Sequence, residues 1–330
     1  MGDMGGDPLH GLDGRSLDVV IATAARAPSV HNTQPWRFRV IGRTVELYAD
    51  WSRRLDVSDP DGRELLISCG AAVFGLRLAV RQAGFLPVVE ILPHRPGLDP
   101  VARVHLGAPA AVGAGERQLL GAVWLRHTHR GPFAPEPLPG GLLAALRRDA
   151  EAESAALLVV GGGREPEQLS WLVSAAERRQ AEHFARADEA RAWTHRDNAR
   201  DGVPARAYAS RSEHASTRLA QRDFDQGRGW GALAVDGQPA AATVVLATAG
   251  DGPADWLCAG QALHRVLLRA AGKWVFASMH TQPLEVASLR EALRNLLRVS
   301  GAPQMLLQLG RAHTAPLTWR RPVVDVLTRR

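Results

Sequence analysis

From residue 16 to 27 apolar positions recur at helical spacing, with Leu17, Val20, Ile21 and Ala24 on one face. Pro28 stops that helix, because it lacks an N–H and drives Ala27 out of the α region. The period then changes to two. Trp36, Phe38 and Val40 alternate with Arg37, Arg39 and Ile41, as in a half-buried strand, and Gly42-Arg43 turns the chain into a second strand over 44–49. Asp56 to Gly62 is a polar loop. Residues 63–83 are apolar nearly all round, which predicts a helix buried at the centre of the fold and ended by Gly84. Strands follow over 86–92 and 101–106. A second set of elements begins near Glu116: helix 116–126, a passage with Pro132, Pro135, Pro137 and Pro139, helix 141–149, strand 155–160 and helix 166–187. Residues 188–230 are charged and polar with few apolar anchors. Beyond them lie strand 240–248, helix 254–271, strand 273–278, helix 285–298 and strand 304–309.

The helices ending at Gly84 and Gly272 form a weak internal repeat. Arg77 aligns with Arg265, Arg81 with Arg269 and Ala83 with Ala271, a Cys falls near each start (Cys69, Cys258), and an apolar strand follows each. At 330 residues and 45% hydrophobic content the chain has room for one large or two medium domains, and no apolar stretch is long enough to cross a bilayer. Met1 to Gly14 has neither a basic start nor an apolar run, so it reads as a disordered leader and the expected location is cytoplasmic. Two cysteines inside apolar helical patterns read as buried free thiols. The net charge of +6 invites a nucleic-acid reading, but only Lys273 of the 40 basic residues is lysine and the arginines are scattered among acids. With no basic tract and 5% aromatic residues to stack bases, nucleic acid is not the expected partner.

Between the first helix and the first strand runs Ala-Pro-Ser-Val-His-Asn-Thr-Gln-Pro-Trp-Arg-Phe, residues 27–38. Ser29, Asn32, Thr33 and Gln34 offer many hydrogen-bonding groups on a rigid mount, suited to the edge of a planar polar heterocycle; an ordinary turn with Asx chemistry uses the same residues. The pattern P-S-x-x-N-x-Q-P-W-x-F resembles the flavin-facing segment of the nitroreductase family, and Asp59 to Gly70 (D-P-D-G-R-E-L-L-I-S-C-G) extends the likeness to its Acg-like branch. The resemblance implies an α+β nitroreductase-like fold in which two related half-domains, fused in one chain, mimic the family homodimer. It also implies an FMN cofactor, NAD(P)H as donor and a nitroaromatic, quinone or biosynthetic intermediate as substrate. The halves would span 16–112 and 113–330 after a leader over 1–15, and fusion would leave the chain a monomer.

The resemblance also assigns residues. Pro28, Ser29, Asn32 and Gln34 would face the flavin. Arg126-His127-Thr128-His129-Arg130 resembles the R-R-S-x-R-x-F phosphate and ribityl segment, so Arg126, Thr128 and Arg130 would hold FMN. Trp319-Arg320-Arg321-Pro322 resembles the C-terminal R-K-P signature, so Arg320 and Arg321 would fold back onto the phosphate. Met279 and Gln282, between a strand and a helix, would belong to the wall beside flavin N5. Guanidinium forks match a phosphate well, while the same arginines also suit solvated faces of a helix end and a terminal strand. His127-x-His129 lacks a third ligand for a metal, and His31 reads as a turn residue, a pH-sensitive group near the flavin being the other reading. No side chain is assigned as a catalytic acid. The full set of motifs occurs once, which implies one FMN. Gly161-Gly162-Gly163 does not meet the dinucleotide spacing, since Pro166 takes the third Gly position. Residues 188–230 suggest a lid, and if it covers the flavin permanently the protein is a sequestering one with little turnover. An interaction protein that has lost its cofactor is the third reading.

Overall fold

Two central helices organise the chain, each apolar on more than one side and each covered by its own sheet. The computed structural model describes residues 14–92, 99–161, 163–182, 184–195, 199–208, 241–312 and 318–328, with Leu219, Arg222 and Phe224. The 1–13 part of the expected leader and most of the 209–230 part of the expected lid lie outside the described residues.

The first sheet grows from α1 (Gly14–Ala24), β1 (Trp36–Ile41), β2 (Thr44–Ala49), α2 (Arg63–Gln82), β3 (Phe85–Ile91) and β4 (Ala102–Pro109). β1 and β2 form the expected hairpin, Ile41 paired with Thr44, with Gly42 at φ 56° in the left-handed region that the turn requires. Trp36 and Phe38 are fully buried while Arg37 is exposed, so the period of two does place one face on the core. α2 is buried along nearly its whole length, as a helix apolar all round must be. Its start is held by Asp59, whose carboxylate accepts the N–H groups of Glu64 at 3.0 Å and Leu65 at 2.8 Å.

The chain continues through α3 (Ala114–Ala122), α4 (Leu142–Glu151), β5 (Ala155–Val160), α5 (Glu165–Ala181), α6 (Phe184–Ala192), and the short parallel pair β6 (Thr194–His195) and β7 (Val203–Pro204). Then come β8 (Ala242–Thr248), α7 (Pro253–Ala271), β9 (Val275–Met279), α8 (Ala287–Leu296), β10 (Ala302–Arg311), α9 (Val323–Val326) and β11 (Leu327–Thr328). The second sheet, β5-β8-β10-β9, is antiparallel throughout and packs on α7. The first, β11-β1-β2-β4-β3, is antiparallel except that the chain's last strand pairs parallel with β1, Phe38 facing Leu327. The class is the expected α+β.

Four expectations need correction. Helix 116–126 stops at Ala122, and Arg126 to Arg130 run beside β9, Thr128 bridging Ala277 and the His129 N–H donating to the Ala277 carbonyl at 2.8 Å. Arg126 is therefore buried, not on a solvated helix face. Helix 166–187 is two helices, α5 and α6, and helix 285–298 begins at Ala287 after a 3₁₀ turn over Gln282–Glu285. Both cysteines are free thiols, but Cys258 is only half-buried.

α2 and α7 cross at glycines. A Cβ on Gly70 would overlap the Leu257 carbonyl and one on Gly260 would overlap the Ile67 carbonyl, so only hydrogen at both positions lets the backbones meet. The repeat arginines line the rim of this contact: Arg265 and Arg269 pair with Asp149, Arg77 and Arg265 with Glu153, and Arg81 with Glu116.

Candidate functional site

The loop after Pro28 is shaped by three non-glycine residues in the left-handed region: His31 at φ 45°, Asn32 at 57° and Gln34 at 50°. Such backbone persists only where the surroundings hold it. Ser29 Oγ accepts the Gln34 N–H at 3.0 Å, Val30 donates to Ser68 Oγ at 3.1 Å, and Thr33 donates to the Val30 carbonyl at 2.9 Å. Asn32 Nδ2 donates to the carbonyls of Gly202 at 2.9 Å and Trp319 at 3.2 Å. Gln34 Nε2 donates to the carbonyls of Arg200 at 2.9 Å and Asn32 at 3.3 Å, and its Oε1 accepts the Arg321 N–H at 2.7 Å.

This loop forms one wall of a cavity with about 760 Å³ of empty space, part of it open to solvent. Pro28, Ser29, Val30 and His31 line it from the loop, and Glu64, Ile67 and Ser68 from the first turns of α2. Thr128 and Arg130 line it from the extended segment, Leu263 from α7, and Ser278, Met279, Thr281 and Met305 from the second sheet and its turn. Arg222 and Phe224 complete the lining. Arg222 reaches from His31 Nε2, at 3.0 Å, to the Glu285 carboxylate, and Phe224 packs edge-on against His31 with Arg130 over its ring at 5.4 Å.

Next to the cavity four guanidiniums converge: Arg26 at the end of α1, Arg126 and Arg130, and Arg320 from the C-terminal segment. Arg126 is 3% exposed and, among the described residues, donates only to the Arg26 carbonyl at 3.3 Å. Arg320 donates to the Ala27 carbonyl at 3.1 Å and to Thr318 Oγ1 at 2.8 Å. Arg126 Nε and Nη1, Arg26 Nε and Arg320 Nε are buried without a hydrogen-bond partner among the described residues. Among the described residues none of the four pairs with a carboxylate, whereas Arg77, Arg81, Arg103 and Arg265 do. Burial and mutual repulsion push Arg126 down to about 9, and burial brings Arg130 down to about 10. Arg320 is lowered well below its ordinary value by burial and by Arg126, Arg26 and Arg130. The field reaches the nearby imidazoles. Burial, and after it Arg126, lowers His264 to about 3, and burial lowers His127 to about 4. Buried cations without counter-charge are costly, and a bound anion is what removes that cost.

Of the residues singled out in the sequence, Pro28, Ser29, Thr128, Arg130 and Met279 line the cavity, and Arg126 and Arg320 meet in the cationic cluster. The remaining four turn elsewhere. Asn32 and Gln34 are spent on bracing backbone, with Asn32 Oδ1 left unpartnered. Gln282 Nε2 donates to Glu177 at 3.2 Å, and Arg321 is half-buried with Nη2 on the Asp325 carbonyl at 2.7 Å. Sequence reasoning missed Arg26, Glu64, Ser68, Arg222 and Phe224, and took His31 for a turn residue. Arg63-Glu64, a charged pair at the mouth of an otherwise apolar helix, is a signal that was present. No signal separates Arg26 from the other scattered arginines. No metal-holding cluster occurs among the described residues.

The chain resembles known proteins over nearly its whole length. The Mycobacterium tuberculosis H37Rv protein named "Putative NAD(P)H nitroreductase Rv3131" is 32% identical over 96% of this chain and 92% of its own. The same organism's "Putative NAD(P)H nitroreductase acg" is 29% identical over 94% of this chain and 96% of its own. Among solved structures, the "putative nitroreductase" of Anabaena variabilis superposes with a TM-score of 0.50 at 10% identity, over 91% of this chain and 88% of its own, a likeness of fold. No family model matches the sequence. On the strength of the first of these relatives, the chain belongs to the nitroreductase family.

Proposed function

We propose that the chain binds one FMN and acts as a nitroreductase-type oxidoreductase that draws hydride from NAD(P)H and passes it to a nitroaromatic, a quinone or a biosynthetic intermediate. The observation that carries this reading is the cluster of Arg26, Arg126, Arg130 and Arg320, four cations without a carboxylate among the described residues and with guanidinium N–H groups buried and unpartnered. A dianionic phosphate monoester suits such a donor set, because planar forks bind its oxygens in pairs. The cavity beside it fits a planar ring system: Ile67, Leu263, Met279 and Met305 give an apolar lining, and Ser29, Ser68, Thr128 and Ser278 give hydroxyls for a polar edge. The bound flavin would supply two-electron hydride transfer. The chain's own part would be to fix the phosphate end, present the hydroxyls to the edge and keep water from the buried face.

Within this proposal the composite site uses both halves, the 16–112 half for the ring and the 113–330 half for most of the phosphate contacts. That composition supports one FMN per chain, and the α2–α7 contact, already buried, supports a monomer. Flavin released by acid should equal about one per chain, and light scattering should give a mass near 35.6 kDa. The deciding experiment is the spectrum of the purified protein under anaerobic NADPH. Flavin absorbance that bleaches supports the enzyme, and a colourless protein that takes up no added FMN rejects the proposal. One observation favours a sequestering protein instead: Arg222 and Phe224 form part of the cavity wall, held by Glu285 and His31. Flavin absorbance that NADPH leaves unbleached would decide for that reading.

A further inference from the structure

The first turn of α2 carries a carboxyl with no part in the binding just described. Glu64 is 5% exposed, yet it lines the cavity. Its Oε1 accepts from Arg63 Nη2 at 2.9 Å, and Arg63 also donates from Nη1 to the backbone and side-chain oxygens of Gln304 at 2.9 and 3.2 Å. Among the described residues its Oε2 accepts no hydrogen bond. One oxygen is thus anchored and the other is free to meet whatever occupies the cavity.

The charges around Glu64 come from every side. Asp59 stands on the preceding loop, Glu285 on the 3₁₀ turn, Arg63 on its own helix, and Arg222 across the cavity wall. Arg290 on α8 also feels its charge. Burial, then the Glu285 and Asp59 carboxylates, outweigh Arg63 and Arg222 and push the Glu64 carboxyl up to about 8. It therefore keeps its proton at neutral pH. His31, which shares this wall with Arg130 and Arg222, is held far below its ordinary value by burial, Arg222 and Arg130, and its Nε2 faces Arg222. It has no proton to give at that nitrogen. A neutral acid with one oxygen open to a buried cavity has the chemistry of a general acid.

We propose that Glu64 is the proton donor to the electron acceptor reduced in this cavity, an inference that rests on the redox function proposed above. Reduction of a quinone-class acceptor to its hydroquinone takes one hydride and one proton. A dihydronicotinamide supplies the hydride and becomes the oxidised nicotinamide. The Glu64 O–H bond breaks, its proton goes to the acceptor oxygen, and the electron pair of that bond stays on Glu64 as carboxylate. Solvent returns the proton between turnovers. Arg63, through Oε1, holds the carboxyl in place and stabilises the carboxylate that forms.

The test has a readout that needs no turnover. In the infrared spectrum of the wild-type protein, a protonated-carboxyl C=O band should disappear as pH rises through about 8, and Glu64→Gln should remove that band. Its absence in wild type, or its persistence in Glu64→Gln, overturns the proposal. In steady state, wild-type kcat for a quinone should fall as pH rises through the same range. Glu64→Gln should be slower by on the order of a hundredfold, the contribution of a positioned acid, with a flat profile. An unchanged rate, or an unchanged pH profile, overturns it as well. Anaerobic bleaching of the wild-type flavin by NADPH is read separately. If that step fails, the redox reading has failed, whereas normal bleaching with an unaltered Glu64→Gln profile counts against Glu64 alone. Should Glu64→Gln not fold, the wild-type infrared titration and Glu64→Asp, expected to keep the band and part of the rate, still decide.

Discussion

Gln34 and Arg321 are bonded to each other: the Gln34 side-chain carbonyl accepts the Arg321 backbone N–H at 2.7 Å. Both read in the sequence as flavin ligands, and the bond between them gives each a different task. It pins the segment that carries Arg320 to the loop that carries Ser29, so the arginine cluster and the cavity loop are held in register. Gln34→Ala removes this bond and both Nε2 donations, leaving buried backbone groups unpaired. The expected cost is about 1–3 kcal/mol in urea unfolding, with a weaker grip on FMN as the register slackens.

The arginine cluster gives opposite signs with and without ligand. Arg320→Ala or Arg126→Ala should weaken FMN by roughly ten- to a hundredfold, since a charge-assisted bond contributes about 1.5–3 kcal/mol. The double variant should be less than additive if both grip one phosphate. Riboflavin should bind the parent weakly and barely register either change. Without ligand the cluster opposes folding, because burial and repulsion lower Arg126 to about 9. Arg126→Met should therefore raise the Tm of the ligand-free protein. Inorganic phosphate should raise that of the wild type and have less effect on the variant, which calorimetry reads directly.

At the crossing of α2 and α7, Gly260→Ala should cost at least about 1–3 kcal/mol, the usual effect of overpacking. Its Cβ meets backbone, which cannot rotate away. Gly121→Ala, inside α3 where a Cβ meets nothing within 4 Å, is the control and should unfold at or somewhat above the wild-type urea midpoint.

The contribution of Asp59 and Glu64 to stability should fall as pH rises, against the opposite contribution, below about pH 6.5, of the buried and lowered His127 and His264. Asp59 is raised to about 6 and Glu64 to about 8, in both cases first by burial. Unfolded carboxyls ionise near 4, so folding favours the protonated forms. Their contribution is whole below about pH 4 and is lost as pH climbs through about 6 for Asp59 and about 8 for Glu64. Glu64→Gln should flatten the upper part of this loss, so its Tm advantage over wild type grows from acidic to alkaline pH. An advantage that shrinks with pH would contradict the sign.

What the sequence disclosed follows from what local pattern encodes. The β1–β2 hairpin and α2 were legible because alternation, a turn glycine and an all-apolar run each admit one structure. The short stretch after Ala122 was not, because Arg126 to Arg130 leave the helix for a bridge to Ala277, a partner far along the chain. Arg126, Arg130 and Arg320 were found through motif, while Arg26 was lost among many arginines whose difference is only the missing counter-charge. Asn32 and Gln34 were read correctly as hydrogen-bonding residues, but which way an amide points depends on Gly202, Arg200 and Arg321, which only the assembled fold brings near.

The pairing of β11 with β1 has a consequence for how the molecule is made. β1 leaves the ribosome well before β11, the strand that covers its edge. The apolar length of α2 likewise waits for α7. Until those partners emerge, the nascent chain therefore presents a bare strand edge and a greasy helix, both templates for the wrong neighbour. Covering both is a long-range event, so correct folding asks that those two surfaces be shielded in the interval before their partners arrive.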